Sequence, residues 1–251
     1  MTIYHLQLRP NVNEAINAET LALDHFERLS KAEIRRLPVS VDQYPRPLEE
    51  IFEIECQEAE ESRLIVEGDL RRVDYLAAAH QQGEFRVLGD AGNFVAAGMR
   101  GGSLVVNGSV GDFLAAPIGS RKSGMSGGEI RVSGTAGNYA AHRMRRGTIL
   151  IRGGAGKHLA ASMVAGTVMV DHCDAGLAIG MKRGSIVMHQ PPNSACTESP
   201  RLSSPHSFTP NFLRLFRSPE IAAFIRPVIA ANAHRIRADL TLGGQGEIIF
   251  P

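Results

Sequence analysis

GEFRVLGDAGNFVAAGMRG, residues 83–101, is the stretch on which the reading of this chain turns. Its frame returns downstream. Residues 128–146 read GEIRVSGTAGNYAAHRMRR, 147–165 read GTILIRGGAGKHLAASMVA, 102–116 read GSLVVNGSVGDFLAA, and 166–176 give a looser GTVMVDHCDAG. The opening glycines Gly83, Gly102, Gly128, Gly147, Gly166 and Gly184 stand 19, 26, 19, 19 and 18 residues apart, so the 26 is one regular unit carrying seven extra residues. A degenerate first copy over 62–82 keeps LIVEG, and a last one opens GSIVMH at Gly184, which makes about seven units.

Within a unit the apolar positions alternate: Phe85 and Val87, Leu104 and Val106, Ile130 and Val132, Ile149 and Ile151, Val168 and Val170. Period two predicts a strand with one buried face. Gly-x-x-Gly follows at Gly89–Gly92, Gly108–Gly111, Gly134–Gly137 and Gly153–Gly156. Glycine at such corners is expected to supply positive φ. A second short apolar piece and then Met99, Met144 or Met163 lead to the next opening glycine. A unit of this kind cannot bury its inner face alone, whereas stacked copies make a parallel β-helix, an all-β core. At about 4.8 Å per coil, seven coils form a column roughly 30 Å tall. A β-propeller needs blades of roughly 40 residues, more than twice the unit here.

The flanks have another texture. Met1–Pro10 is expected to form a strand. Leu21, Leu23, Phe26 and Leu29 have near-helical spacing, and Ser30-Lys31-Ala32-Glu33 fits a capping box opening a second short helix that stops before Pro38. A polar, Pro- and Ser-rich loop follows Gln190. Residues 210–216 and 218–229 are predicted helical, and 241–250 a turn and strand. The division expected is a strand and helical cap over 1–60, the repeat over 61–190, and a loop, helical cap and closing strand over 191–251. Caps of this kind cover the open ends of a solenoid.

Hydrophobic content of 43% and charged content of 21% belong to a globular protein, and a net charge of +1 gives no global pull toward nucleic acid or a membrane surface. Cys56, Cys173 and Cys196 form no CxxC pair, which argues against a disulfide framework or a cysteine-rich metal site. The first residues lack the charged-then-apolar pattern of a secretion signal, and no run of eighteen apolar residues occurs. A cytoplasmic protein is the expectation.

The repeat, with its interruption GSRKSGMSGG at 119–128, resembles the C subunit of formylmethanofuran dehydrogenase and the C subunits of the bacterial formyltransferase/hydrolase complex. The same solenoid unit closes the large subunit of glutamate synthase. The resemblance covers about 62–190 and extends to DLTLGGQGEII at 239–249; GMSGG at 124–128 points to the dehydrogenase and hydrolase branch. It implies a right-handed parallel β-helix that serves as a non-catalytic scaffold beside amidohydrolase-like, molybdopterin-protein-like and formyltransferase partners. The bacterial complex moves a formyl group from tetrahydromethanopterin to a methanofuran-type carrier and hydrolyses it to formate; the archaeal enzyme works beside a molybdenum or tungsten centre. No cofactor is expected on this chain itself.

Independent chemistry finds little support in the residues. Gly119-Ser-Arg-Lys-Ser-Gly124-Met-Ser126 approaches a phosphate-binding loop, but Met125 stands where the lysine belongs and no strand–loop–helix surrounds it. The nine histidines show no HxH or HExxH spacing; His158 takes the place of Phe94, Phe113 and Tyr139, and His172 that of a corner glycine. No Gly-x-Ser-x-Gly elbow or nucleophile–base pair is present, and Glu84 and Glu129 align only with Ser103 between them. A self-standing β-helix enzyme would want adjacent carboxylates. Instead Arg100, Arg143, Arg145, Arg146, Lys182 and Arg183 precede opening glycines, so stacking should align them on one edge, with Arg121 and Lys122 on a loop nearby. A solvated face is the plain reading. The functional one is a contact for an acidic partner surface or for the polyanionic carrier that the resemblance implies.

Overall fold

The computed structural model describes residues 1–119, 123–193 and 201–251. Before the repeat come β1 (Thr2–Leu8), β2 (Ile16–Asn17), α1 (Leu23–Phe26), α2 (Lys31–Arg35), β3 (Pro38–Val41), β4 (Tyr44–Pro47), α3 (Leu48–Ile51) and β5 (Phe52–Glu58). The repeat supplies β6 (Arg63–Glu67), β7 (Val73–Asp74), β8 (Glu84–Leu88), β9 (Ser103–Val106), β10 (Glu129–Val132), β11 (Thr148–Ile151), β12 (Thr167–Val170) and β13 (Arg183–Met188). After it come β14 (His206–Ser207), α4 (Pro219–Ala230), β15 (His234–Ala238) and β16 (Gln245–Phe250).

A twelve-stranded, mostly parallel sheet runs β14-β15-β16-β13-β12-β11-β10-β9-β8-β6-β1-β5. Each repeat strand pairs in register with the next: Phe85 with Leu104, Leu104 with Ile130, Ile130 with Ile149, Ile149 with Val168. Beyond each strand a second row of parallel bridges joins Leu70, Ala91, Val110, Ala136, Ala155 and Cys173. The two rows enclose one apolar core of Val, Ile, Leu, Ala and Met side chains. Each fully buried aliphatic there contributes about 1.5–3 kcal/mol.

Two ladders run along the outside of the turns. Tyr75, Phe94, Phe113, Tyr139 and His158 stack ring on ring, with centroids 4.7, 4.8, 5.2 and 4.6 Å apart. All five rings sit on residues of positive φ. The residue before each ring forms the second ladder. Asp74 accepts from the Asn93 amide at 2.7 Å, Asn93 from Asp112 at 2.9 Å, Asp112 from Asn138 at 2.7 Å and Asn138 from Lys157 at 2.9 Å.

The corner glycines work differently from expectation. Of Gly89, Gly92, Gly108, Gly111, Gly134, Gly137, Gly153 and Gly156, Gly89 alone has positive φ, 132°. At the others a side chain would strike the unit below: a Cβ on Gly153 would lie 2.8 Å from the Gly134 carbonyl oxygen, and one on Gly156 2.8 Å from Asn138 Oδ1. Close stacking, not turning, excludes a side chain there. Positive φ belongs to the opening glycines, such as Gly147 at 107°, where a Cβ would also meet the Met125 methyl. His172 corrects by one position as well. Its carbonyl accepts from Ala155 and its ring lies over Gly154, so Asp171 stands at the corner-glycine position.

At one flank β1 inserts between β6 and the antiparallel β5, which carries Glu53, Glu55 and Glu58 along the sheet edge. Charge on one edge, and a two-residue β14 on the other, deny a neighbouring molecule a strand to pair with. β2, β3 and β4 form a small sheet that joins the first unit through β7. The capping box forms, with the Ser30 hydroxyl accepting from the Glu33 amide and the Glu33 carboxylate accepting from the Ser30 amide at 2.8 Å.

The helix α4 lies against the outer face of the sheet. Along that face the outward row reads Arg86, Val105, Arg131, then Leu150, Met169, Val187 and Ile249. The last four are buried under Ile221, Phe224, Ile225 and Val228. Arg131, where the row changes character, holds the start of the helix through Glu220 at 2.9 Å. No described helix is long and apolar enough to cross a membrane.

Candidate interaction surface

Each unit ends on a residue pointing inward and one pointing out, and the pair defines two neighbouring columns. The inner column is His80, Met99, Met125, Met144, Met163 and Met181, each three residues before an opening glycine and each fully buried. The repeat pattern marks Met99, Met144 and Met163 directly; the same offset from Gly128 and Gly184 gives Met125 and Met181. The seven extra residues are 117–123, and the frame resumes at Gly124. The Gly124, Met125 and Ser126 amides donate to the carbonyls of Arg143, Ala115 and Met99 at 3.0, 2.9 and 2.8 Å. Donors already used in stacking cannot cradle a phosphate.

His80 heads the methionine column. Its Nε2 donates to the Gly83 carbonyl at 3.2 Å, while Nδ1 is buried without a partner. Burial pushes its imidazole below the ordinary value.

The outer column, one residue later, is Arg100, Ser126, Arg145, Val164 and Lys182. Their amides donate in succession to the carbonyls of His80, Met99, Met125, Met144 and Met163 at 2.7–2.8 Å. The residue after each is Gly101, Gly127, Arg146, Ala165 and Arg183. Basic side chains therefore recur on every second unit, about 10 Å apart, with small or apolar residues between. That spacing keeps like charges from standing directly opposite one another. Arg100, Arg143, Arg145, Arg146, Lys182 and Arg183 are all exposed, and none makes an ion pair among the described residues. Arg183 donates to Gln245 Oε1 at 2.8 Å. Beside it Val164, Ala165, Lys182, Leu242 and Gln245 line a shallow pocket of about 490 Å³.

Arg143 sits apart from the comb, on the other side of Met144. Its carbonyl accepts from Gly124, the residue at which the seven-residue insertion returns to the frame. Arg121 and Lys122, the two loop cations singled out in the sequence, lie outside the described residues.

Elsewhere the titratable groups serve the fold. Glu84, Ser103 and Glu129 share one row, so the two carboxylates are separated by a unit, and Arg63 engages Glu84 at 2.7 Å. His158 is the last ring of the aromatic ladder. Asp171 is bracketed by His172 Nδ1 at 3.0 Å and His189 Nδ1 at 3.4 Å; its hydrogen bond to His172 holds its carboxyl below the usual carboxylate range. Among the described residues no three His, Cys, Asp or Glu side chains are grouped to hold a metal ion.

No family model matches the chain. It is 36% identical over 77 residues to the C subunit of the molybdenum-containing formylmethanofuran dehydrogenase 1 of Methanothermobacter marburgensis, and 35% identical over 77 residues to that of Methanothermobacter thermautotrophicus. Each match covers 31% of this chain and 19% of the relative, so the alignment spans about a fifth of the relatives' length. Along nearly its whole length the fold matches a chain in the crystal structure of the formyltransferase/hydrolase complex from Methylorubrum extorquens in complex with methylofuran. The TM-score is 0.77 at 25% identity, covering 98% of this chain and 99% of that one.

Proposed function

We propose that this chain, which resembles the C subunits of the formylmethanofuran dehydrogenase and formyltransferase/hydrolase complexes, is the scaffold subunit of a formyltransferase/hydrolase complex in one-carbon metabolism. The observation that carries the reading is the end-to-end fold match, 98% of this chain on 99% of the other, with a chain of that complex. On this reading the stacked units are coils of a right-handed parallel β-helix, bounded by flanking segments over 1–60 and 191–251. Its partners are amidohydrolase-like, molybdopterin-protein-like and formyltransferase subunits in the cytoplasm. They transfer a formyl group between tetrahydromethanopterin and a methanofuran-type carrier and hydrolyse it to formate, and this chain does none of the chemistry.

The 10 Å comb of Arg100, Arg145, Arg146, Lys182 and Arg183, with Arg143 and the loop cations Arg121 and Lys122, is the contact for an acidic partner surface or the carrier. Arg100, Arg143, Arg145, Arg146, Lys182 and Arg183 are exposed and make no ion pair among the described residues, which supports that role, since such charges attract an anion without first having to break a bridge.

A second reading has its own support. The 77-residue stretch at 36% identity belongs to a molybdenum-containing formylmethanofuran dehydrogenase, and the same scaffold beside a redox partner would explain it. Purification of the native complex through a tag on this chain separates the two. Co-elution with formyltransferase and amidohydrolase-like chains free of molybdopterin and iron–sulfur clusters is expected. A partner carrying both would establish the dehydrogenase instead, and a chain that elutes alone with hydrolase activity of its own would overturn the scaffold reading.

A further inference from the structure

The helix α4 has no hydrophilic side. Between Ile221 and Ala230 the chain reads IAAFIRPVIA, in which Arg226 is the one charged residue. Ile221, Phe224, Ile225 and Val228 face the sheet and are buried. Ala223, Pro227 and Ala230 are exposed and Ala222 and Ile229 half-buried, where a solvated helix would present Lys, Glu or Gln. A helix that is apolar all round is covered on both sides in the assembly that it serves.

The uncovered side forms a groove with a defined rim. Leu213, Phe216, Ala222, Ile225 and Ile229 floor a cleft of about 380 Å³ between α4 and the turn Asn211–Leu215. Leu215, at the edge of that turn, is 78% exposed. Arg214 and Arg226 line the cleft, and Arg217 follows Phe216. None of the three arginines makes an ion pair among the described residues, and Glu220 at the helix start is held by Arg131 and the Ser218 hydroxyl. An apolar floor with an unneutralised cationic rim selects its occupant by charge.

We propose that this groove docks an acidic amphipathic segment of a partner subunit, one that places apolar side chains against Ile229 and Phe216 and carboxylates against Arg214, Arg217 and Arg226. This rests on the reading of the chain as a subunit of a complex. The surface is separate from the basic comb, which stands on the residues before the opening glycines, so the chain offers two faces to its assembly.

The test uses the whole complex, assembled with the tagged full-length chain. The double variant Arg214→Glu with Arg226→Glu should lower the amount of at least one co-purifying subunit, or its affinity, by about tenfold or more. The lysine pair Arg214→Lys with Arg226→Lys should retain most of it. Near-identical melting of the variant and wild-type chains shows that folding is intact; Ile229→Asp, at a half-exposed floor position, reads the same contact if the double variant misfolds. A photo-crosslinker at Ala223 should label an Asp- and Glu-rich peptide of a partner. A complex left intact by both sets of variants, or a crosslink to a second copy of this chain, overturns the docking proposal alone. A wild-type chain that co-elutes with no partner overturns the subunit reading and this proposal together.

Discussion

Met144 and Arg145 are neighbours in the chain and belong to opposite regimes. Met144 stands in the inner column, where every unit from Met99 to Met181 repeats the same residue and the one exception, His80, leaves a buried nitrogen unpaired. Arg145 stands in the outer column, where Arg, Ser, Arg, Val and Lys alternate and no residue makes an ion pair among the described residues. The inner column is constrained by packing. The methyls of Met99, Met125, Met144 and Met163 close on Gly128, Gly147, Gly166 and Gly184, each the opening glycine of the unit after next, so volume and shape are fixed by the neighbours. The outer column carries no such packing constraint: Arg, Ser, Val and Lys all stand there with the same backbone hydrogen bond. Monotony in one column marks packing, and variation in the next leaves that column open to the recognition proposed for it.

The largest loss of stability is expected from Met144→Ala. It should cost about 2–5 kcal/mol, because the stacked units cannot close over the void. Denaturant unfolding measures it, and a cost comparable to a surface substitution would mean that the column is not packed as described.

His80→Met removes the exception. In the native chain the folded state resists the proton that the unfolded chain takes up near the ordinary histidine value of about 6.5. Stability is therefore fully present above that pH and falls as the solution is acidified below it, until the folded imidazole itself titrates. The methionine variant should match or exceed the wild type at neutral pH and lose this part of the acid sensitivity. Urea midpoints at about pH 7.5, 6.0 and 5.0, which bracket that ordinary value, read the difference, and parallel curves for both proteins would sink the account.

The outer column should give the smallest change in stability. Arg145→Glu with Arg146→Glu is expected to move unfolding by no more than about 0.5 kcal/mol. The same variant should weaken assembly of the complex or carrier binding, more at low salt than at high. Unchanged affinity would leave these arginines a solvated face.

Much of this is legible in the chain. Alternating apolar positions become strands, the nineteen-residue frame sets which strands pair, and Ser30 forms its capping box, all from short-range patterns. The outer face carries a signal too. The outward row turns apolar at Leu150 and stays so through Met169, Val187 and Ile249, which calls for a cover such as α4. Met125 is harder to place, because the insertion sets it inside a string resembling a phosphate loop, and that local resemblance masks its offset from Gly128.

The sequence alone determined that this protein is a stack of short strands with an apolar interior, because a repeat that cannot bury its own face must bury it on the next copy. Only the tertiary structure decided why the corner glycines are glycines, which basic residues stand on alternate units, that His80 belongs to the methionine column, and that α4 keeps an apolar side uncovered. Those facts concern contacts between residues about nineteen or more positions apart. Spacing along the chain cannot give the distance between atoms across a stack, and that distance decides whether a side chain is excluded, paired or left free for a partner.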